Sequence, residues 1–266
     1  MAPDNRRGAF HRALRLLGRG VRALPHVLRG GIVLGFCPIC EKRTLFVAEG
    51  PWLRDHFLCV RCRSIPRWRA LIAVLEESFP RWRELAIHES SPGGPASDLL
   101  ARECKGYVAT QFFPEIPPGS AKDGVRCEDL EAQTFADGSF DLVVTQDVFE
   151  HILDPRRGFR EVARTLKAGG AHVFTVPWHH WKETLVRAVR ENGAIRHLAE
   201  PDYHRNPIDP RGSLVVTEWG RDLCEFIKKH SGLATEVVRL RDRRRGIDGE
   251  FLEVFVSRRQ LGGDRR

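Results

Sequence analysis

Phe140-Asp141-Leu142-Val143-Val144-Thr145-Gln146-Asp147-Val148-Phe149-Glu150-His151-Ile152 is the stretch on which the reading of this chain turns. Its first half is a near-continuous apolar run entered from Asp137-Gly138-Ser139, the pattern of a strand buried on both faces, and its second half carries two acids and a histidine. A helix is expected next over 155–167, because Pro155 stands near its start and Gly169-Gly170 follows its end. A second apolar run covers 171–176. Strand, helix and strand in that order predict parallel pairing within an α/β sheet.

The same alternation extends outward. Strands are expected over 85–89, 106–110, 124–127, 140–145, 171–176, 235–240 and 251–256, with helices over 66–78, 97–104, 155–167 and 219–230. The fold class is therefore α/β, a doubly wound, Rossmann-like sheet of seven strands.

Residues 129–152, then Phe159-Arg160-Glu161-Val162-Ala163-Arg164-Thr165-Leu166-Lys167-Ala168-Gly169-Gly170 and Val173-Phe174-Thr175-Val176-Pro177, resemble the centre of the class I, type 11-like S-adenosylmethionine (SAM)-dependent methyltransferases. The resemblance implies a cofactor crevice at the C-terminal ends of the first strands. It places Asp129 at the adenine amino group, the Leu130 amide at a ring nitrogen, and Gln146 beside the methionine end. The family's glycine-rich loop falls here on His88-Glu89-Ser90-Ser91-Pro92-Gly93-Gly94, where only the last glycine is in frame. Gly93 and Gly94 can still let backbone amides approach a ligand, and Glu89 can replace the displaced acid. The chain resembles a subgroup of zinc-ribbon-bearing methyltransferases in having a histidine, His88, in that loop. After the second strand Gln111 stands where the family has an acid for the ribose hydroxyls. An amide can accept from one hydroxyl and donate to the other, but without a carboxylate's charge.

Methyl transfer from a sulfonium mainly requires alignment, with a base added when the acceptor carries a proton. His151, Asp147 and Glu150 are the expected catalytic groups, with His151 as the base; alternatively the three form a small metal site. Residues 178–215 read as a lid-like insert, and Trp178, His179, His180 and His204 in it, with Arg205 and Asn206 following, read as an acceptor wall.

Cys37-Pro-Ile-Cys40 and Cys59-Val-Arg-Cys62 are two C-x-x-C pairs separated by eighteen residues, the spacing of a closed, structural zinc site. Cys104, Cys127 and Cys224 read as core residues. The expected organisation is a tail over 1–30, a zinc-ribbon-like module over 31–66 and a methyltransferase domain over 67–266. The formal net charge of +8 is uneven: residues 1–30 carry +6 and residues 37–69 carry +4, so the remainder is close to neutral. The tail has the spacing of a basic amphipathic helix, weakened by Pro25 and its glycines, and so reads as a peripheral membrane contact, an organelle-targeting sequence or a solvated segment. The absence of a secretory leader or an apolar span points to the cytoplasm. A small-molecule acceptor (sugar, lipid-linked or secondary metabolite) is expected, with RNA methylation, which the basic ribbon and tail would serve, or a non-catalytic binding protein as alternatives.

Overall fold

The structure is a computed structural model, and it describes residues 31–204 and 210–261. The tail over 1–30 and residues Arg205 and Asn206 lie outside the described residues. Two compact units divide the described residues: those over 31–70 with 240–252, and those over 71–239 with 253–261.

In the first unit, β1 (Ile32–Cys37) pairs antiparallel with β2 (Lys42–Ala48), and β2 with β3 (Phe57–Cys59), which follows the short helix α1 (Leu53–His56). Helix α2 (Pro66–Ser78) matches its expected bounds and crosses from the first unit into the second. Residues 240–252, expected inside the methyltransferase domain, belong instead to the cysteine-bearing unit. Two close approaches explain why. Gly35 lies so near the Arg244 carbonyl that a Cβ would collide with it, and Gly246, at φ +69°, abuts the Phe46 ring.

In the second unit, β4 (Ala86–Ser90), α3 (Gly94–Glu103) and β5 (Gly106–Gln111) form the first βαβ step. After β5 come β6 (Ala121–Lys122), β7 (Val125–Cys127), β8 (Phe140–Gln146), α4 (Pro155–Thr165) and β9 (Leu166–Thr175). The insert then contributes β10 (Trp178–His179), β11 (Leu185–Val186), β12 (Ala188–Glu191), β13 (Ala194–His197), β14 (Tyr203–His204), β15 (Ser213–Leu214) and β16 (Thr217–Gly220). Helix α5 (Leu223–Ser231), β17 (Ala234–Val238) and β18 (Val254–Arg258) complete the unit.

The main sheet has the order β17-β18-β9-β8-β4-β5-β7-β6, parallel from β9 to β7 and antiparallel at both ends. It has eight strands, not seven, because β6 pairs with β7 across Asp123-Gly124. Both of these turn residues have positive φ, as a two-residue hairpin requires. The expected helix over 219–230 starts only at Leu223; Trp219 lies in β16, fully buried against Phe159 of α4. The last strand begins at Val254 rather than 251 because the preceding thirteen residues serve the other unit.

Strand order reverses at β4: the chain runs outward through β5 and β7, then returns to place β8 on the other side of β4. In doubly wound sheets the crevice for a ligand opens at the C-terminal ends of the strands flanking that reversal. Beneath it, Val143, Phe149, Phe159, Phe174 and Trp219 form the buried core. No helix among the described residues is long and apolar enough to cross a membrane.

Candidate functional site

In the cysteine-bearing unit, Cys37, Cys40, Cys59 and Cys62 each bring a sulfur within 4.8 Å of the others. The Cys37–Cys62 and Cys40–Cys59 separations are 3.7 and 3.9 Å. Four sulfurs each about 2.3 Å from one tetrahedral ion would stand about 3.8 Å apart, so these two separations match a zinc site. Arg69 is fully buried, yet its guanidinium donates only to neutral oxygens of Ser64, Phe57 and Gly246. Burial draws its pKa down to about 10, and the neighbouring cysteine sulfurs oppose that shift. A buried cation without a carboxylate partner fits beside a cluster of thiolates.

In the sheet unit, Glu89 is the last residue but one of β4 and Gln146 ends β8 beside it, and the Gln146 amide Nε2 donates to Glu89 Oε1 at 2.8 Å. Ser97, one turn into α3, donates to the same oxygen at 2.8 Å, and the Tyr107 hydroxyl donates to Oε2 at 2.6 Å. Glu89 is fully buried; desolvation pushes its pKa up, while these three donors act to hold it down. Gly93, the residue before α3, donates its amide to Ser97 Oγ, and a Cβ built on Gly93 meets only open space. Gly94 adopts φ +76°, so the loop needs glycine there.

Two features test whether SAM fits this crevice. Gln146 Oε1 is buried without a hydrogen-bond partner, an acceptor beside a carboxylate where the methionine ammonium would need both. The open ground over Gly93 leaves room for the ligand's close approach. The residues present fit the cofactor.

Other expected ligands are placed differently. His88 is not at the cofactor: it is fully buried within β4 between the Phe135 and Phe140 rings, with Nε2 2.8 Å from Thr110 Oγ1. Burial draws its pKa down to about 4, so it is a neutral core histidine. Asp129 accepts the Glu131 amide through Oδ1 and so shapes the turn after β7, with Leu130 packed beneath it in the core. Gln111 ends β5 with its amide 3.4 Å from the Phe112 carbonyl. Sequence reasoning missed Ser97, Tyr107 and Glu128. Glu128 is buried and accepts from Arg126 and Thr134, bracing the same turn. A serine in the first turn of a helix that follows a glycine loop was the one visible signal; the reach of Tyr107 to Glu89 depends on strand register.

After β8, Phe149 is buried and stacks on Phe159 at 4.1 Å, anchoring the loop that carries the expected catalytic groups. Asp147, at φ +54°, accepts from Thr175 Oγ1 at 2.9 Å. Glu150 is 2% exposed, and neither of its carboxylate oxygens has a hydrogen-bond partner. His151 Nε2 and His204 Nδ1 each lie 3.7 Å from Glu150 Oε1. His151 Nδ1 is 2.8 Å from the Leu214 carbonyl, so Nδ1 donates there and, in the neutral ring, the lone pair lies on Nε2. The end of the insert is tied to this loop, since the Val216 and Thr217 amides donate to the Glu150 carbonyl.

Of the expected acceptor wall, only His204 joins this cluster. Trp178 is a core residue, buried against Phe255 with its indole N–H donating to the Gly220 carbonyl at 2.6 Å. His179 is half-buried and His180 exposed, both edge-on to the Trp181 ring.

A family model described as a methyltransferase domain matches residues 93–174. A sarcosine/dimethylglycine N-methyltransferase from Halorhodospira halochloris is 29% identical over 138 residues, covering 51% of this chain and 48% of that protein. A glycine/sarcosine/dimethylglycine N-methyltransferase from Actinopolyspora halophila is 32% identical over 178 residues, covering 62% of this chain and 31% of that protein. The chain thus spans less than half the length of these relatives. Among solved structures, a SAM-dependent methyltransferase from Mesorhizobium loti aligns over 71% of this chain and 98% of its own at 16% identity and a TM-score of 0.47. Residues 93–174, set in a doubly wound sheet that reverses at β4, thus match a methyltransferase domain.

Proposed function

We propose that the chain transfers a methyl group from SAM to a small-molecule acceptor, with an amine of the amino-acid type first among the acceptors to test. The observation that carries the reading is the Glu89–Gln146 bridge across the strand-order reversal, with Gln146 Oε1 buried and unpartnered beside it. The names of the two relatives, both N-methyltransferases of amino-acid amines, support the choice of acceptor. Sugars, lipid-linked compounds and secondary metabolites are further members of the same class.

SAM supplies an electrophilic methyl carbon on a sulfonium. Glu89 would hold the cofactor's ammonium together with Gln146 Oε1, while Ser97 and Tyr107 orient the carboxylate and oppose the upward pull of burial on its pKa. Gly93 and Gly94 give the backbone clearance that the ligand needs. Gln111 would reach the ribose hydroxyls, and the turn built by Asp129 and Glu128 would wall the adenine. Asp147, Glu150, His151 and His204, just beyond Gln146, would face the acceptor, where His151 Nε2 offers a basic lone pair. The four cysteines would hold one zinc ion in a closed, structural site.

Incubation with methyl-labelled SAM and a panel including glycine, sarcosine and dimethylglycine, beside cell metabolites and total RNA, tests the reading. Label is expected in acid-soluble small molecules. Label confined to RNA, or none while SAM binds, would overturn it.

A further inference from the structure

One cluster in the sheet unit is built with more care than acceptor binding alone requires. We propose that Glu150, His151 and His204 form a binding site for a divalent first-row transition-metal ion, ligated by one carboxylate and two imidazole nitrogens. The inference goes beyond methyl transfer and does not depend on which acceptor is used; with the ion bound, His151 Nε2 is a ligand and no longer offers the lone pair of a base.

The spacing is the first argument. One ligand atom from each residue lies within 4.8 Å of the others, and both imidazole nitrogens stand 3.7 Å from the same carboxylate oxygen. Hydrogen-bonded partners would close to about 2.7–3.2 Å. Ligands each about 2.1 Å from one ion stand roughly 3.0–3.4 Å apart, so a small inward movement of the side chains completes a coordination shell.

Burial is the second argument, and it is independent of the spacing. Glu150 is 2% exposed, and both its oxygens lack a hydrogen-bond partner. A carboxylate so placed is costly unless a cation meets it. No lysine or arginine partner of Glu150 occurs among the described residues, whereas two histidines flank it.

Orientation is the third. His151 Nδ1 is held by the Leu214 carbonyl at 2.8 Å, the outer contact that commonly fixes a metal-binding imidazole with its other nitrogen unprotonated. Its ring meets that of His204 edge-to-face at 5.1 Å. His204 sits on β14, whose pairing with β15 in the register His204↔Ser213 carries it to the loop after β8. The Val216 and Thr217 amides lock that loop through the Glu150 carbonyl at 2.8 and 3.1 Å.

The sequence offered Asp147 as the third ligand, but its Oδ1 accepts from Thr175, and His204 takes the place instead. Two imidazoles and a carboxylate suit manganese(II), cobalt(II) or zinc(II), and three protein ligands leave positions open for water or a donor atom of the acceptor.

The test uses the full chain with zinc left at the cysteines, titrated with manganese(II) while free ion is followed by electron paramagnetic resonance. About one manganese per chain is expected, with affinity falling at least tenfold in both Glu150→Gln and His204→Ala. His204 is partly exposed, so its variant preserves the fold even where the buried Glu150 change does not. SAM affinity, measured separately, should stay at the wild-type value in His204→Ala. A folded wild-type chain that binds neither manganese nor cobalt, or a His204→Ala variant with undiminished ion affinity, would overturn the site. A chain that binds the ion but not SAM would defeat the methyltransferase reading while leaving this one standing.

Discussion

Acidification should unfold the sheet unit through two buried histidines that have no catalytic duty. His88 on β4 and His172 on β9 are fully buried, each making one hydrogen bond to a threonine on a neighbouring strand and leaving Nδ1 without a partner. Burial draws their pKa values down to about 4 and about 3. An unfolded chain protonates both rings near pH 6.5, and the folded chain does not. Unfolding therefore takes up protons between pH 6.5 and the folded values, and stability falls as pH falls through that window. Each ring contributes about 1.4 kcal/mol per pH unit there, so from pH 6 to 4.5 the two together remove about 3–4 kcal/mol. That is a large share of the 5–15 kcal/mol typical of a domain. Urea denaturation at closely spaced pH values measures the slope, and the pair His88→Leu with Thr110→Val should remove about half of it. A stability flat from pH 6.5 to 4.5, or a His172 ring that titrates near 6.5 by NMR, would refute the reasoning.

The purified chain should carry about one zinc at the cysteine cluster, and Cys59→Ser should lower zinc content in metal analysis while SAM affinity, expected of the sheet unit, stays unchanged. Glu89→Ala orphans Ser97, Tyr107 and the Gln146 amide, and should weaken SAM binding by about 1–3 kcal/mol in calorimetry. Asp129→Ala should weaken it by a similar amount, through the turn it holds as well as through the adenine. Removing residues 1–30 should leave small-molecule turnover nearly unchanged. Were RNA the acceptor, the loss of a formal +6 would lower both affinity and its salt dependence.

The apolar runs from 85 onward were legible because a strand buried on both faces leaves a continuous hydrophobic signature, and Val143 and Val144 carry it plainly. The two-residue strand β6 was not, since Ala121 and Lys122 are exposed and owe their pairing to the Asp123-Gly124 turn alone. Cys37, Cys40, Cys59 and Cys62 converge as their spacing suggested. The partnership of residues 240–252 with them was invisible, because it rests on a glycine pressed against a carbonyl two hundred residues away. Within the crevice, Glu89 and Gln146 could be placed from their frame at strand ends, but their hydrogen bond depends on which strands are neighbours. His88 was expected at the ligand from the frame of the glycine loop and Trp178 from its place in the insert, yet a single internal partner, Thr110 or the Gly220 carbonyl, is enough to bury each. His204, expected in the acceptor wall, shows the reverse: its position beside Glu150 is visible only when hairpin pairing carries it across more than fifty positions.

The central claim is that the crevice over Glu89 and Gln146 holds SAM, and calorimetric titration of the full chain with SAM tests it most directly. The account predicts saturable binding at one site per chain, weakened about 5- to 150-fold in Glu89→Ala, consistent with the loss of about 1–3 kcal/mol. A folded wild-type chain that takes up no SAM, or a Glu89→Ala variant that binds it as the wild type does, would contradict it.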